Sequence, residues 1–266
     1  KKIRQITYLP INNILQLFME FKDHFSSHSK AYSKSRPGYP EKLFAFLSGL
    51  VPERKLVWDC ATGNGQAAVS LAKYFEKVIA TDASEQQIDN AFEMDNIEYL
   101  VAPAEEIYFE DETVDMVTVA TALHWFDHER FFPEVNRVLK PGGVFAAWSY
   151  AESKISDEID PIMDYFSKEY LYEYWPPEAR VNWMERYENI EIPFEKIESP
   201  AFEMEMEWDL EQLVNYLHSW SAVKKHHEVT KFDPVEIVFP ELKELWGNIE
   251  DVKKVRWELI FKAGKK

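Results

Sequence analysis

Two aspartates, 23 residues apart, frame the chemistry this chain can do. Asp59 follows the apolar run Leu56 to Trp58 and stands before a turn containing Gly63 and Gly65. Asp82 closes the run "KVIATD". After the turn, Ala68, Leu71, Ala72 and Phe75 recur at helical spacing. This is a strand-loop-helix whose backbone N–H groups and helix start can be brought up to a ligand. The string "GNGQAA" satisfies G-x-G-x-x-A, the fingerprint of dinucleotide binding. A dinucleotide would lay its pyrophosphate over Gly63 to Gly65, where the Asp59 carboxylate would repel it by several kcal/mol in a partly dehydrated pocket. A ligand with an ammonium group at that place would be attracted. Asp82 fits any adenosine ligand, because a carboxylate there can accept both ribose hydroxyl hydrogens. No G-x-x-x-x-G-K-[ST] occurs, which disfavours a nucleotide triphosphatase.

S-adenosylmethionine meets both acids: its methionyl end carries an ammonium and its adenosine carries no phosphate. Methyl transfer from such a donor is an in-line displacement, accelerated mainly by alignment, and needs a base only if the nucleophile arrives protonated. His124, in "TALHWFD", is the candidate base or positioning group; the plainer reading is a histidine that orders its own loop. Trp125 either walls the transfer channel or packs in the core. Trp175, Arg180 and Trp183, with Trp220 after "LHS", can line an acceptor pocket, although each alone reads first as structure. In "AYSKSRPGYP", Tyr32 can face a sulfonium and Arg36 a carboxylate, with Tyr39 close by; alternatively the segment is a proline-rich turn packed on the domain. His24 with His28 and His124 with His128 stand four apart, but neither pair belongs to an H-E-x-x-H, so no metal is expected. "KKHHE" at 224–228 reads as a solvated surface turn.

The elements that position these groups follow from periodicity. "LVW", "KVIATD", "IEYLVA", "VDMVTVATAL" and "VFAAWS" read as strands separated by helical patterns. Ser84, with Gln87 three residues on, reads as a capping box opening a helix through Ile88, Ala91 and Phe92. "KPGG" stops the helix of Phe131, Phe132, Val135, Val138 and Leu139. Alternation of this kind predicts an α/β fold: a Rossmann-like, seven-stranded, mostly parallel sheet with helices on both faces. Residues 1–30 are expected to be an N-terminal extension, 31–150 the ligand-binding core, 151–190 a helical insertion after the fifth strand and 191–266 the strands and helices completing the sheet. "FEKIESPAFEMEME" reads as a sixth strand with its continuation, "LEQLVNYLHSW" and "PELKELWGNI" as helices, and "VRWELIFKAG" as the last strand.

Composition narrows the class further. At 266 residues, 46% hydrophobic and 29% charged, the chain is long enough to bury a proper core. A formal charge of −17 argues against a nucleic-acid partner, which needs a cationic surface. Cys60 is the single cysteine, so neither an intrachain disulfide nor a cysteine zinc cluster can form, which suits a reducing cytosol. No apolar run of about 18 residues occurs, so no membrane partner is expected. The first residues mimic a signal peptide only weakly, since Pro10, Asn12, Asn13 and Gln16 interrupt them; Met19 is a candidate start.

"DCATGNGQAA", "VIATDAS", "APAEEI", "ALHWFD" and "VLKPGG", in this order and spacing, closely resemble class I S-adenosylmethionine-dependent methyltransferases. "YSKSRPGYP" and "LHSWSA" are similar to a trans-aconitate methyltransferase-like subgroup. The resemblance implies that Asp59 and the backbone from Ala61 through Gly63 to Gly65 hold the methionyl part of S-adenosyl-L-methionine. It implies that Asp82 binds the ribose, that Ala83 lies under the adenine, and that Ala104 (backbone N–H) and Glu105 meet the adenine edge. Ala120 or Thr121 would lie near the donor amino group. Ala61 stands where many relatives have glycine, a change that ordinary backbone angles would tolerate. The expectation is a cytoplasmic enzyme, monomeric or homodimeric, methylating a small molecule, with the carboxylate of a small organic acid as the first-choice acceptor. The alternatives are an NAD(P)-dependent oxidoreductase and an inactive donor-binding protein.

Overall fold

The computed structural model describes residues 38–266, apart from the side chains of 181–183. Five parallel strands form its centre: β1 (Leu56–Cys60), β2 (Lys77–Asp82), β3 (Ile97–Val101), β4 (Val114–Ala120) and β5 (Leu139–Lys154), in spatial order 3-2-1-4-5. The order reverses between β1 and β4, and in an open α/β sheet ligands bind beyond the strand carboxyl ends at that switch. β1 and β4 are apolar along almost their whole length because both faces of a parallel sheet are covered. Val57 belongs to one core layer and Trp58 and Cys60 to the other, so the alternation of a strand puts Asp59 on the Val57 face.

That first layer is filled by α1 (Glu41–Gly49) and α2 (Gln66–Leu71), with Leu43, Leu47 and Leu71 completely buried. The opposite face is covered by α4 (His128–Val138), whose Phe131, Val135 and Val138 pack towards Trp58 and Phe145. Each such side chain contributes about 1.5–3 kcal/mol through removal from water. Between β2 and β3 lies α3 (Glu85–Asp89), shorter than expected: it ends before Ala91, and Phe92 is exposed. Ser84 Oγ accepts from Gln87 N at 3.3 Å, but the second half of the capping box is replaced, because Ser84 N donates to Asp82 Oδ1 at 2.9 Å.

The sheet has eight strands where seven were expected. After two helices that follow β5, α5 (Asp160–Tyr165) and α6 (Pro177–Trp183), together called the cap, come β6 (Glu195–Lys196) and β7 (Glu203–Trp208), both antiparallel to the last strand, β8 (Lys253–Lys265). β8 itself runs antiparallel beside β5. β6 and β7 are one predicted strand broken in two. Pro200 lies in the break and has no N–H to give to the ladder. Three further helices complete the first layer: α7 (Leu210–His218), α8 (Ser221–Thr230) and α9 (Val235–Trp246). The solvated turn expected at 224–228 is instead part of α8, with His226 buried against Tyr170 and Tyr174. Ala222, Val223 and His226 give that helix one face to bury, and its remaining polar residues stay outside.

Candidate functional site

The loop leaving β1 is a tight turn, with Gly65 N donating to Thr62 O at 3.0 Å and Thr62 N to Thr81 O at 2.8 Å. Gly63 and Gly65 have φ +57° and +87°, which glycine adopts without cost. Ala61 has φ 53°, so its backbone is not ordinary, and its methyl carries a strain of about 1–2 kcal/mol. A side chain on Gly65 would strike the Tyr99 hydroxyl, which reaches over from β3. At Gly63 the nearest atom to such a side chain would be Gln87 Oε1 at 4.0 Å, so a ligand can approach the backbone closely there.

Asp59 is not at the mouth of this loop. Its residue is completely enclosed, and its two oxygens accept from Thr62 Oγ1 at 2.5 Å and Thr118 Oγ1 at 2.9 Å. The alternation of β1 turns the carboxylate behind the loop, so direct contact with a ligand's ammonium is not what this geometry offers. Burial pushes its pKa up to about 6, and the hydroxyl donors oppose the shift. The unpaired Tyr99 hydroxyl shares this enclosed region; burial, then the charge of Asp59, push its pKa up.

Asp82, half-buried at the end of β2, accepts from Gly63 N at 2.8 Å and from Ser84 N at 2.9 Å. It therefore clasps the glycine loop from the neighbouring strand. Ala83 beside it is exposed and Ala104 is nearly enclosed, while Glu105 Oε1 accepts from Asp127 N at 3.1 Å. Ala120 and Thr121 are half-buried at the end of β4, and Thr121 has φ 57°, an unusual state for a β-branched residue. The Thr121 hydroxyl pairs with Tyr39 Oη at 2.9 Å, and the Tyr39 ring meets Trp148 edge-on at 5.6 Å. Tyr39 thus lies over this end of the sheet; Tyr32, Arg36, His24 and His28 lie outside the described residues. The segments 59–65, 82–84, 102–105 and 120–125 carry no lysine or arginine. Carboxylates and close-approach backbone suit a phosphate-free adenosine.

After Thr121 the chain makes a short 3₁₀ turn, Leu123–Trp125. The half-buried His124 points Nδ1 at Tyr187 Oη, 3.1 Å away, and its ring lies 4.9 Å from that of Trp125. Burial, with a smaller contribution from His128, lowers the His124 pKa to about 3, so the imidazole is neutral. α6 packs on this turn and brings Arg180 with it. The Arg180 guanidinium lies 4.2 Å above the Tyr172 ring and donates to Trp175 O at 3.3 Å, while its buried Nε has no partner. Trp175 is half-buried and donates to Ser167 O at 2.9 Å. Trp220, by contrast, is enclosed by Phe166, Trp175 and Tyr216, so it supports Trp175 from the core and does not line an opening. The Trp183 side chain lies outside the described residues.

Residues 58–147 match the model of a methyltransferase domain family. A protein of Dictyostelium discoideum named as a methyltransferase is 35% identical over 231 residues, covering 85% of each chain. A solved type II methyltransferase from Anaeromyxobacter dehalogenans is 38% identical, with 86% of this chain and 97% of that one covered at a TM-score of 0.81. This chain belongs to the class I S-adenosylmethionine-dependent methyltransferases. A Saccharomyces cerevisiae protein named as an S-adenosylmethionine-dependent methyltransferase is 27% identical over 283 residues, covering 90% of this chain and 95% of its own. The methyl donor is S-adenosylmethionine, and the dinucleotide suggested by "GNGQAA" is set aside. Among the described residues no helix of this methyltransferase is long and apolar enough to cross a membrane.

Sequence reasoning missed four partners in the site. Thr62 and Thr118 were legible in principle, as lone hydroxyls beside an acid that the burial of β1 must enclose. Tyr99 and Tyr187 were not, because only the folded sheet and cap bring them to Gly65 and His124.

Proposed function

We propose that this methyltransferase methylates the carboxylate oxygen of a small organic acid. The observation that carries this reading is Arg180: a guanidinium on the cap helix over the His124 turn, with a carbonyl, an aromatic face and an unpartnered Nε around it and no carboxylate among its described partners. A carboxylate on the acceptor would supply the missing anion. The likeness of "YSKSRPGYP" and "LHSWSA" to the trans-aconitate methyltransferase-like subgroup supports the same acceptor class. Trp175 and Trp125, both half-buried near this region, would cover the acceptor's apolar part.

When bound, S-adenosylmethionine supplies an electrophilic methyl group on a positively charged sulfur. On the protein side, Asp82 would hold the ribose, Ala83 would lie under the adenine, and Ala104 and Glu105 would meet its edge. Gly63 and Gly65 would give close approach to the methionyl part, with Ala120 and Thr121 near its amino group. Asp59 would act through the loop, holding Thr62 in place and lending negative potential beneath it. Tyr32 and Arg36 enter this reading only through the resemblance. The acidic balance and the single, buried Cys60 support work in the cytoplasm, as a monomer or homodimer, on neither nucleic acid nor membrane.

The test is a methyl-transfer assay with labelled donor against a panel of small carboxylic acids. The expected product is a methyl ester, whose label mild base releases as methanol. Base-stable label, or label on protein, would overturn the proposal.

A further inference from the structure

Tyr187 is held in an expensive way. It follows Arg186 in the turn after α6, and both residues have left-handed backbones, with φ 51° and 59°. Neither is glycine, so the turn stores roughly 1–2 kcal/mol per residue. Its outcome is a completely enclosed tyrosine whose hydroxyl sits 3.1 Å from His124 Nδ1. Among the described residues His124 Nδ1 is the one hydrogen-bond partner of that hydroxyl, and burial keeps the phenol protonated. An enclosed O–H with no other acceptor in reach would be left unpaired unless it donates, so its hydrogen goes to Nδ1.

We propose that Tyr187 donates to His124 Nδ1 and thereby fixes the imidazole as its neutral Nε2–H tautomer, so that His124 offers the acceptor a hydrogen bond and takes no proton from it. Nε2 makes no hydrogen bond with the described residues and is not among the enclosed polar atoms. The groups around the ring agree with a neutral state. His128 lies on α4, Tyr187 in the cap turn and Tyr39 on the lead-in, while α6, packed on the turn, carries Glu178 and Arg180. Tyr187 is therefore a positioning residue, acting through His124.

The consequence for the acceptor rests on the carboxylate reading above. A carboxylate oxygen forms the new C–O bond, the electron pair of the broken C–S bond stays on sulfur, and no proton moves. A donor N–H suits such an acceptor and would leave a protonated alcohol or amine unserved.

The test is independent of the acceptor. Nitrogen NMR of the full chain carrying ¹⁵N-histidine, with His124 assigned by its loss in His124→Gln, reads the tautomer directly. The expected wild-type signal is the neutral Nε2–H pattern, unchanged from about pH 5 to about pH 8. Tyr187→Phe, which keeps the ring and removes the hydroxyl, should shift His124 towards a mixture of tautomers, whereas the other histidines should keep their patterns. A wild-type Nδ1–H pattern, a titration inside that range, or a pattern indifferent to Tyr187→Phe would overturn the proposal. If Tyr187→Phe fails to fold, the wild-type pattern alone decides. Failure here leaves the ester assay untouched, so the two readings fall separately.

Discussion

The two ends of the parallel sheet each enclose an aspartate, and they treat it in opposite ways. At the amino end, Asp115 on β4 is 4% exposed and accepts from Lys140 Nζ at 2.5 Å, Lys55 N at 2.9 Å and Leu56 N at 2.8 Å. At the carboxyl end, Asp59 is completely enclosed and meets two threonine hydroxyls and no cation. Backbone strain divides the same way. Of the six non-glycine residues with positive φ among the described residues, Ala61, Thr121, Arg186 and Tyr187 lie around the donor loop and the His124 turn. One end neutralises its charge and stitches strands together. The other keeps an unpaired carboxylate and most of the left-handed backbone.

The largest expected effect is at the neutralised end. Asp115→Ala leaves two backbone amides without their acceptor and Lys140 with Glu53 alone, and should cost about 1–3 kcal/mol of stability for each amide. Urea unfolding reads this, and the affinity of the folded fraction for S-adenosylhomocysteine should stay within about twofold. A variant that lost donor affinity without losing stability would break the comparison.

At the other end the effect is pH-dependent. The Asp59 pKa rises from its ordinary 3.8 to about 6 in the folded protein, so ionising it there costs about 3 kcal/mol. Below the ordinary value both folded and unfolded states are protonated and nothing is lost. Between about 4 and about 6 the unfolded state ionises first, and stability falls as pH rises; above about 6 the whole cost is present. Asp59→Asn removes this dependence. Wild type should therefore gain about 3 kcal/mol relative to the variant as pH is lowered through that window. A constant difference would show that enclosure does not disfavour the Asp59 carboxylate.

A smaller loss is expected at the clasp between β2 and the loop. Asp82→Ala removes hydrogen bonds to a charged acceptor, each contributing about 1.5–3 kcal/mol, so S-adenosylhomocysteine affinity should fall about 10- to 100-fold by calorimetric titration. Unchanged affinity in a folded variant would place the ribose elsewhere.

The donor end was legible in sequence because its signals are local. An acid, a glycine turn and a helix follow one another within "DCATGNGQAA", and the second acid ends the next strand. Even there, sequence did not show that Asp59 is completely enclosed beneath the loop. Strand alternation decides which side an acid faces, and Val57 as its face-mate was the available clue. The cap was less legible. Trp220 has the composition of a pocket residue, yet the stacking of Phe166, Trp175 and Tyr216 encloses it. Tyr187 carries no local signal, since its partner lies 63 residues away. The break at Pro200 was visible as a proline, but its effect on strand count required knowing that β8 pairs on both sides.

The finest test uses two residues with the same backbone state at opposite ends. Ala61 sits in the donor loop with φ 53°, and Glu112 precedes β4 at the amino end with φ 55°. Glycine at either position relieves about 1–2 kcal/mol of left-handed strain and restores roughly 0.4–1 kcal/mol of freedom to the unfolded chain. Ala61→Gly and Glu112→Gly should therefore each stabilise the protein by no more than about 1 kcal/mol, read by urea unfolding. Only Ala61→Gly should alter donor binding. The methyl restricts a loop whose amides must hold one arrangement when the donor arrives, so removing it gives the free loop more states to lose. S-adenosylhomocysteine affinity should fall a few-fold in Ala61→Gly and stay unchanged in Glu112→Gly. Equal affinities in both variants would mean that the strain at Ala61 is incidental, and that the contrast between the two ends rests on charge alone.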